Sequence, residues 1–386
     1  MENRIEYSRI EDRLLVLCSR KILSKENEKS VKEILNTYEI DFQYLLESSL
    51  KHKVTQLIAN HLIKLDESKV IRTYYKKILN YHYLGNLERN KALFDEVINI
   101  LCTFEKHKIK VVPLKGTVIA PLIYGDIGLR SLNDIDFLIS TKSKKKVSEL
   151  LKEQGYIIGN YIWAKDSIEP VSKSEELMWR MNAGNLYSHV KKINNHFLKF
   201  LIVDFSYDVD LQKNFHASEK LISAAKKSEF LGKEAFLLSD LDFFFHLAIH
   251  LYKEATNVEF VNHQADLNLI KFCDIREFLL VKSKDFDWEN IAKKAMDLGI
   301  EKALYFSVYY TELIYEEKLT GELLNLLDVG TKSFLYQYGS LDYGFSKKWE
   351  HSFSNRLFSI SNKEKLTKGS KIEEFTNEIR KGESLT

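Results

Sequence analysis

Two aspartates separated by one residue, Asp134 and Asp136, lie some twenty residues after Lys115, Gly116 and Thr117 in the stretch LKGTVIAPLIYGDIGLRSLNDIDFLIS. On a β-strand alternate side chains share a face, so both carboxylates point the same way. Magnesium takes a few carboxylate oxygens and leaves its other positions to water and phosphate, which makes such a pair a candidate Mg²⁺ site. A third carboxylate on a neighbouring strand would permit a second ion, the arrangement that stabilises entering and leaving oxygens in an in-line displacement at phosphorus. The turn at Lys115, Gly116 and Thr117 supplies backbone N–H groups and a cation suited to phosphate. It differs from the GxxxxGK[ST] nucleotide loop in order and spacing, and there is no GxGxxG. An Asp-x-Asp pair alone is more often a solvated strand end than a metal site, so the weight rests on joint placement.

That placement needs particular elements. IKVVPL (Ile109 to Leu114) and IDFLIS (Ile135 to Ser140) are short β-branched runs that predict strands, with a short helix in GTVIAPLIYG between them. In FLIVDFSYDVDLQ, Asp204, Ser206, Asp208 and Asp210 alternate with apolar residues, which predicts a third strand with an acidic face. Before Lys108, apolar residues recur mostly at three- and four-residue steps: Leu45, Leu50, Val54, Leu57 and Ile58, then Leu93, Val97, Ile98, Leu101 and Phe104. These predict helices. Helical periodicity returns from about Leu237 to Phe358, where aromatic residues at helical spacing read as core, and the last residues are polar.

The chain has 386 residues, 45% of them hydrophobic, enough to build buried cores. Lys and Arg total 57 against 55 Asp and Glu, so there is no overall basic excess of the kind nucleic-acid binders carry. Cys18, Cys102 and Cys273 lack CxxC spacing and are expected to be reduced core thiols. The opening residues do not form a secretory signal, and no apolar window is long enough for a membrane span, so the expected location is cytoplasmic.

The stretch EKHKIKVVPLKGTVIAPLIYGDIGLRSLNDIDFLIS resembles the signature of a bacterial nucleotidyltransferase-like family, at Leu114, Lys115, Gly116, Tyr124, Arg130, Asp134, Ile135 and Asp136. The resemblance covers about residues 12 to 285 and reaches LLESSLKHKVTQLIANHL upstream and DFFFHLAIHLYKEA with LIKFCDIREFL downstream. It implies an α+β protein whose small mixed sheet, of the polymerase-β-like kind, is flanked by N-terminal and C-terminal helical regions. The expected division is a helical region at 1–85, a nucleotidyltransferase core at 86–215, a helical region at 216–360 and a polar tail at 361–386. It further implies a nucleoside triphosphate donor and two Mg²⁺ ions, with Gly116 and Thr117 on the triphosphate and Asp134 and Asp136 on the metals. The third carboxylate is expected at Asp210. Gln212 stands where the family carries histidine, so Asp208 and Asp204 remain alternatives.

His246 and His250 share a helix face with Lys253 nearby, and the resemblance places that face over the nucleotide or acceptor; structural histidines are the competing reading. Asp274 could orient one of them. Arg130 could hold phosphate or simply form a loop-fixing salt bridge. The run KSKKK from Lys142 to Lys146 could steer a polyanion or be a solvated helix start. The expected activity is transfer of a nucleoside monophosphate to an unidentified small molecule, natural-product peptide or protein, with release of pyrophosphate. A non-catalytic nucleotide-binding protein is the alternative, and an RNA-directed enzyme a more distant one.

Overall fold

The helical spacing of the first hundred residues produces five helices in the computed structural model, which describes residues 4–209, 211, 215–263, 265–343 and 346–359. They are α1 (Ile10–Cys18), α2 (Lys25–Thr37), α3 (Phe42–Lys51), α4 (Thr55–Leu65) and the long α5 (Thr73–Lys106). Ser24 and Asp41 cap α2 and α3 by accepting the Asn27 and Tyr44 N–H groups. The period then changes to that of a sheet: β1 (Val111–Pro113), α6 (Lys115–Ile119), β2 (Ile135–Ile139), α7 (Lys144–Glu153), β3 (Ile157–Ile162), β4 (Ser167–Pro170), α8 (Lys173–Asn182), β5 (His189–Lys192) and β6 (Phe200–Ser206). After α9 (Phe215–Ala224) and the hairpin of β7 (Lys226–Phe230) and β8 (Lys233–Leu237), helices return as α10 (Asp240–Thr256), α11 (Val258–Asn262), α12 (Leu269–Lys282), α13 (Trp288–Asp297) and α14 (Glu301–Tyr315). None of the described helices is long and apolar enough to cross a membrane.

Two compact units divide the described residues. One comprises the chain up to Glu88, Ile119–Ser131 and the residues from Leu247 onward; the other comprises Arg89–Val118 and Leu132–His246. The first is helical, with Leu304, Tyr305, Phe306, Val308, Tyr310 and Tyr315 of α14 buried as the aromatic periodicity predicts. Tyr310 stacks on Phe353 with ring centroids 3.8 Å apart.

The second unit holds a six-stranded sheet in the order β1-β2-β6-β5-β3-β4. β2 and β6 run parallel and the other pairs antiparallel, so the sheet is mixed. Pro113 and Pro170 fall on its two outermost strands, the positions where a residue without an N–H costs no ladder bond. Phe205 packs against Phe104 and Phe137 on one face, at centroid separations of 5.8 and 5.5 Å. Val112, Leu114 and Leu138 form an apolar cluster with Val209, Ile222 and Ala225.

Several expectations need correction. The strand through Asp204 stops at Ser206, because the Tyr207 and Asp208 N–H groups both turn to the Gly184 carbonyl, each at 2.9 Å. The acidic alternation therefore does not continue along a strand as far as Asp208. Asp210 and the 361–386 stretch lie outside the described residues. Cys18 and Cys273 are buried thiols, but Cys102 is exposed: it sits on the solvent side of α5, between inward-facing Leu101 and Phe104. Leu50 is likewise exposed, and Phe94 and Ile100 join the buried face of α5.

β3 and β4 approach so closely at Gly159 that an added Cβ would lie 2.1 Å from the Glu169 carbonyl oxygen. Backbone cannot yield as a side-chain tip can, so Gly159→Ala should destabilise the protein by about 1–3 kcal/mol, read as a lowered thermal midpoint.

Candidate functional site

Register between two parallel strands creates the site. Asp136 of β2 pairs with Asp204 of β6, so their side chains stand next to each other on one face, and Asp134, two residues before Asp136, joins them. One carboxylate oxygen from each of Asp134, Asp136 and Asp204 lies within 4.8 Å of the others. Asp136 is buried and the other two are partly so. Three hard oxygen donors at this spacing suit a divalent cation of the Mg²⁺ type and offer nothing to a soft metal.

Positive charge and hydrogen bonds hold this repulsive group. Lys115 Nζ pairs with Asp136 Oδ1 at 2.7 Å. The lysine itself sits at φ +48°, a left-handed conformation that costs an ordinary residue about 1–2 kcal/mol. Leu114 donates to the Asp136 carbonyl at 3.0 Å, and the Asp136 N–H donates to Thr117 Oγ1 at 3.4 Å, so the turn after β1 is tied to the acidic strand. Ser188 Oγ donates to Asp204 Oδ1 at 2.7 Å. Arg89, partly buried on α5, feels the field of Asp134; burial lowers its pKa while that carboxylate favours its charge.

Burial pushes the Asp136 carboxyl up to about 7, with Asp134 and Asp204 adding to the shift and Lys115 opposing it. Asp204 is pushed up to about 6, again by burial first and then by Asp134, against the Ser188 hydrogen bond and Lys115. Without a counter-cation the cluster holds protons that isolated aspartates would release near pH 4.

The remaining expected site residues differ in their surroundings. Gly116 and Thr117 are both buried, immediately behind Lys115. Arg130 and Asp274 belong to the helical unit, where Arg130 reaches the carboxylate at 2.7 and 3.4 Å and the Ser131 carbonyl at 2.9 Å. Tyr124 donates to the same carboxylate at 3.1 Å. His246 and His250 share one face of α10; His246 is buried beside Phe243, and His250 pairs with Glu254 at 3.4 Å. Lys253 is partly buried on the same helix. Asp208 is buried and is not one of the clustered carboxylates.

Sequence reasoning ranked Asp204 behind Asp210 and passed over Ser188 and Arg89. The alternation in FLIVDFSYDVDLQ marks a strand but not which of its acids meets Asp136; strand register decides that.

A mixed sheet with clustered carboxylates on adjoining parallel strands is a scaffold suited to phosphoryl chemistry. The chain matches the model of a family described as uncharacterised nucleotidyltransferase over residues 38–316, and it belongs to that family. It is a nucleotidyltransferase enzyme, and its reaction class is nucleotidyl transfer. No curated protein matches it.

The raised carboxyl groups make a pH prediction. Between about pH 4 and pH 7 the folded protein keeps protons at Asp136 and Asp204 that the unfolded chain releases, so this cluster lowers stability as pH rises through that window. Asp204→Asn, which removes one of the repelling charges, should therefore melt higher than wild type at pH 8 in EDTA, and the difference should vanish at pH 4. Thermal melts across pH 4 to 8 would show it; an Asp204→Asn protein less stable than wild type at pH 8 would contradict this charge balance.

Proposed function

We propose that the chain is a metal-dependent nucleotidyltransferase with a polymerase-β-like core. In this reading an acceptor hydroxyl, amine or phosphate attacks the α-phosphorus of a nucleoside triphosphate. A bond from the acceptor heteroatom to phosphorus forms, the bond to the bridging oxygen breaks, pyrophosphate leaves, and an acceptor that carried a proton gives it up. The observation that carries the reading is the meeting of Asp134, Asp136 and Asp204 within 4.8 Å, together with the family membership.

Asp134, Asp136 and Asp204 would hold Mg²⁺, with two ions expected by analogy to this class of active site. When bound, Mg²⁺ would neutralise phosphate charge and orient the triphosphate for in-line displacement. In this reading Asp204 serves as the third carboxylate. Ser188 fixes one of its oxygens, and its raised affinity for protons suits it to accept the acceptor's proton. Lys115 is the phosphate cation: its ammonium neutralises Asp136 in the absence of a metal, and a bound divalent cation would take over that task and release it to the triphosphate. Gly116 and Thr117 form the turn that brings backbone close to the phosphates. The acceptor is a small molecule, a natural-product peptide or a protein.

Positioning and charge neutralisation supply most of the rate enhancement in such transfers, so Asp136→Asn should lower turnover by about 10³-fold or more while preserving the fold. The first test is calorimetric titration of ATP, GTP, CTP and UTP into wild-type and Asp134→Ala/Asp136→Ala protein, with and without Mg²⁺. Magnesium-dependent binding that the double variant lacks supports the reading and names the donor. Equal binding by both proteins would remove the aspartates from the site, and an Asp136→Asn enzyme of normal turnover would do the same for catalysis.

A further inference from the structure

The two cations that the sequence offers to phosphate are both engaged, Lys115 with Asp136 and Arg130 with Asp274. Arg89 is not. Its side chain is only partly exposed, yet it forms no hydrogen bond and no ion pair among the described residues. A guanidinium carries five N–H donors, and drawing them away from water without a partner costs free energy.

The position of Arg89 follows from α5. Leu93, Val97, Ile100, Leu101 and Phe104 form the buried stripe of that helix, and Phe104 packs on Phe205 of the sheet. Arg89 lies four residues before Leu93 and so continues the sheet-facing stripe. A short connection turns α5 into β1, and β1 runs antiparallel to β2, so α5 and β2 point the same way. The part of α5 that precedes Phe104 therefore lies toward the start of β2, where Asp134 precedes the strand. Helical side chains lean toward the N-terminus, which carries the long Arg89 chain farther toward that end. Asp134 is the carboxylate whose field reaches it.

Cost and location together point to a use. Burial disfavours the Arg89 charge more than Asp134 favours it, so the fold keeps an incompletely neutralised cation beside three carboxylates that suit Mg²⁺. A residue that costs stability where it stands is of the kind that a binding site retains. A planar guanidinium meets phosphate oxygens in pairs, which an ammonium such as that of Lys115 does not.

Resting on the nucleotidyl-transfer reading of the cluster, we propose that Arg89 is a triphosphate-binding residue whose guanidinium takes non-bridging phosphate oxygens. Its partner is the substrate, and the absence of a protein partner is what leaves its donors available.

The test is calorimetry with inorganic triphosphate and with ATP, GTP, CTP and UTP, each with Mg²⁺, on wild-type, Arg89→Met and Arg89→Lys protein. Arg89→Met should bind triphosphate and nucleotide at least about tenfold more weakly than wild type, with Arg89→Lys between the two. In EDTA the Arg89→Met protein should melt no lower than wild type, because methionine fills similar space without a charge to desolvate. The nitrogen NMR signal of the Arg89 Nε–H, assigned by its loss in Arg89→Lys, should shift when wild type is saturated with triphosphate. An unmoved signal at saturation would overturn the proposal, and this readout does not depend on the folding of Arg89→Met. Wild-type affinity in Arg89→Met would overturn it too, and a lowered midpoint in EDTA alongside that affinity would make Arg89 a structural counter-charge for Asp134. Weakened nucleotide binding with unchanged triphosphate binding would move Arg89 away from the phosphates and likewise sink the assignment. Failure of wild type to bind any of the five compounds would remove the nucleotidyl-transfer reading itself, whereas binding that wild type and Arg89→Met share equally would remove this proposal alone.

Discussion

Three carboxylates forced together on two adjacent strands are the constraint around which the sheet unit is arranged. Their mutual repulsion is strongest where water is excluded, and Asp136 is the most buried of them. The protein answers it locally. Lys115 reaches Asp136 from a strained left-handed backbone, Ser188 donates to Asp204, and the Arg89 charge acts on Asp134. Strain at Lys115 is tolerated because the surrounding turn is pinned to β2 by the Leu114 and Thr117 contacts.

The rest of the sheet keeps that group apart from other chemistry. Alternation along β5 and β6 sends Asp204 and Ser188 to one face and Val203, Phe205 and His189 to the other. Stacking of Phe137 on Phe205 locks the parallel pair from behind, so the register that sets Asp136 beside Asp204 is fixed by apolar packing as well as by the ladder. In the helical unit a different network joins the same residue types, Arg130 and Tyr124 on Asp274. The chemistry of a side chain does not decide its role; its neighbours do.

Much of this architecture was legible in residue patterns. β-branched runs marked β1 and β2, helical spacing marked the stretch before Lys108 as helical, and the aromatic spacing around Tyr310 marked buried core. Strands β3, β4 and β5 were not foreseen, because IIGNYI, SIEP and HVKK mix polar and apolar residues and carry no sustained period. The expected acidic strand was overextended for a related reason. Alternation continues in the residues after Ser206, while the chain leaves the sheet to satisfy the Gly184 carbonyl.

By itself the sequence determined the pair Asp134 and Asp136, their common face and the lysine turn that precedes them, because these follow from strand period and local spacing alone. Tertiary structure decided that a distant acid, Asp204, joins them. Asp204 is selected by the parallel register of β2 with β6, a contact between residues 68 positions apart that no local pattern encodes. It also decided that Lys115 neutralises Asp136 and that Arg130 is engaged by Asp274. The physical reason is the same in each case: charge and burial are properties of surroundings, and surroundings are assembled only when strands and helices pack.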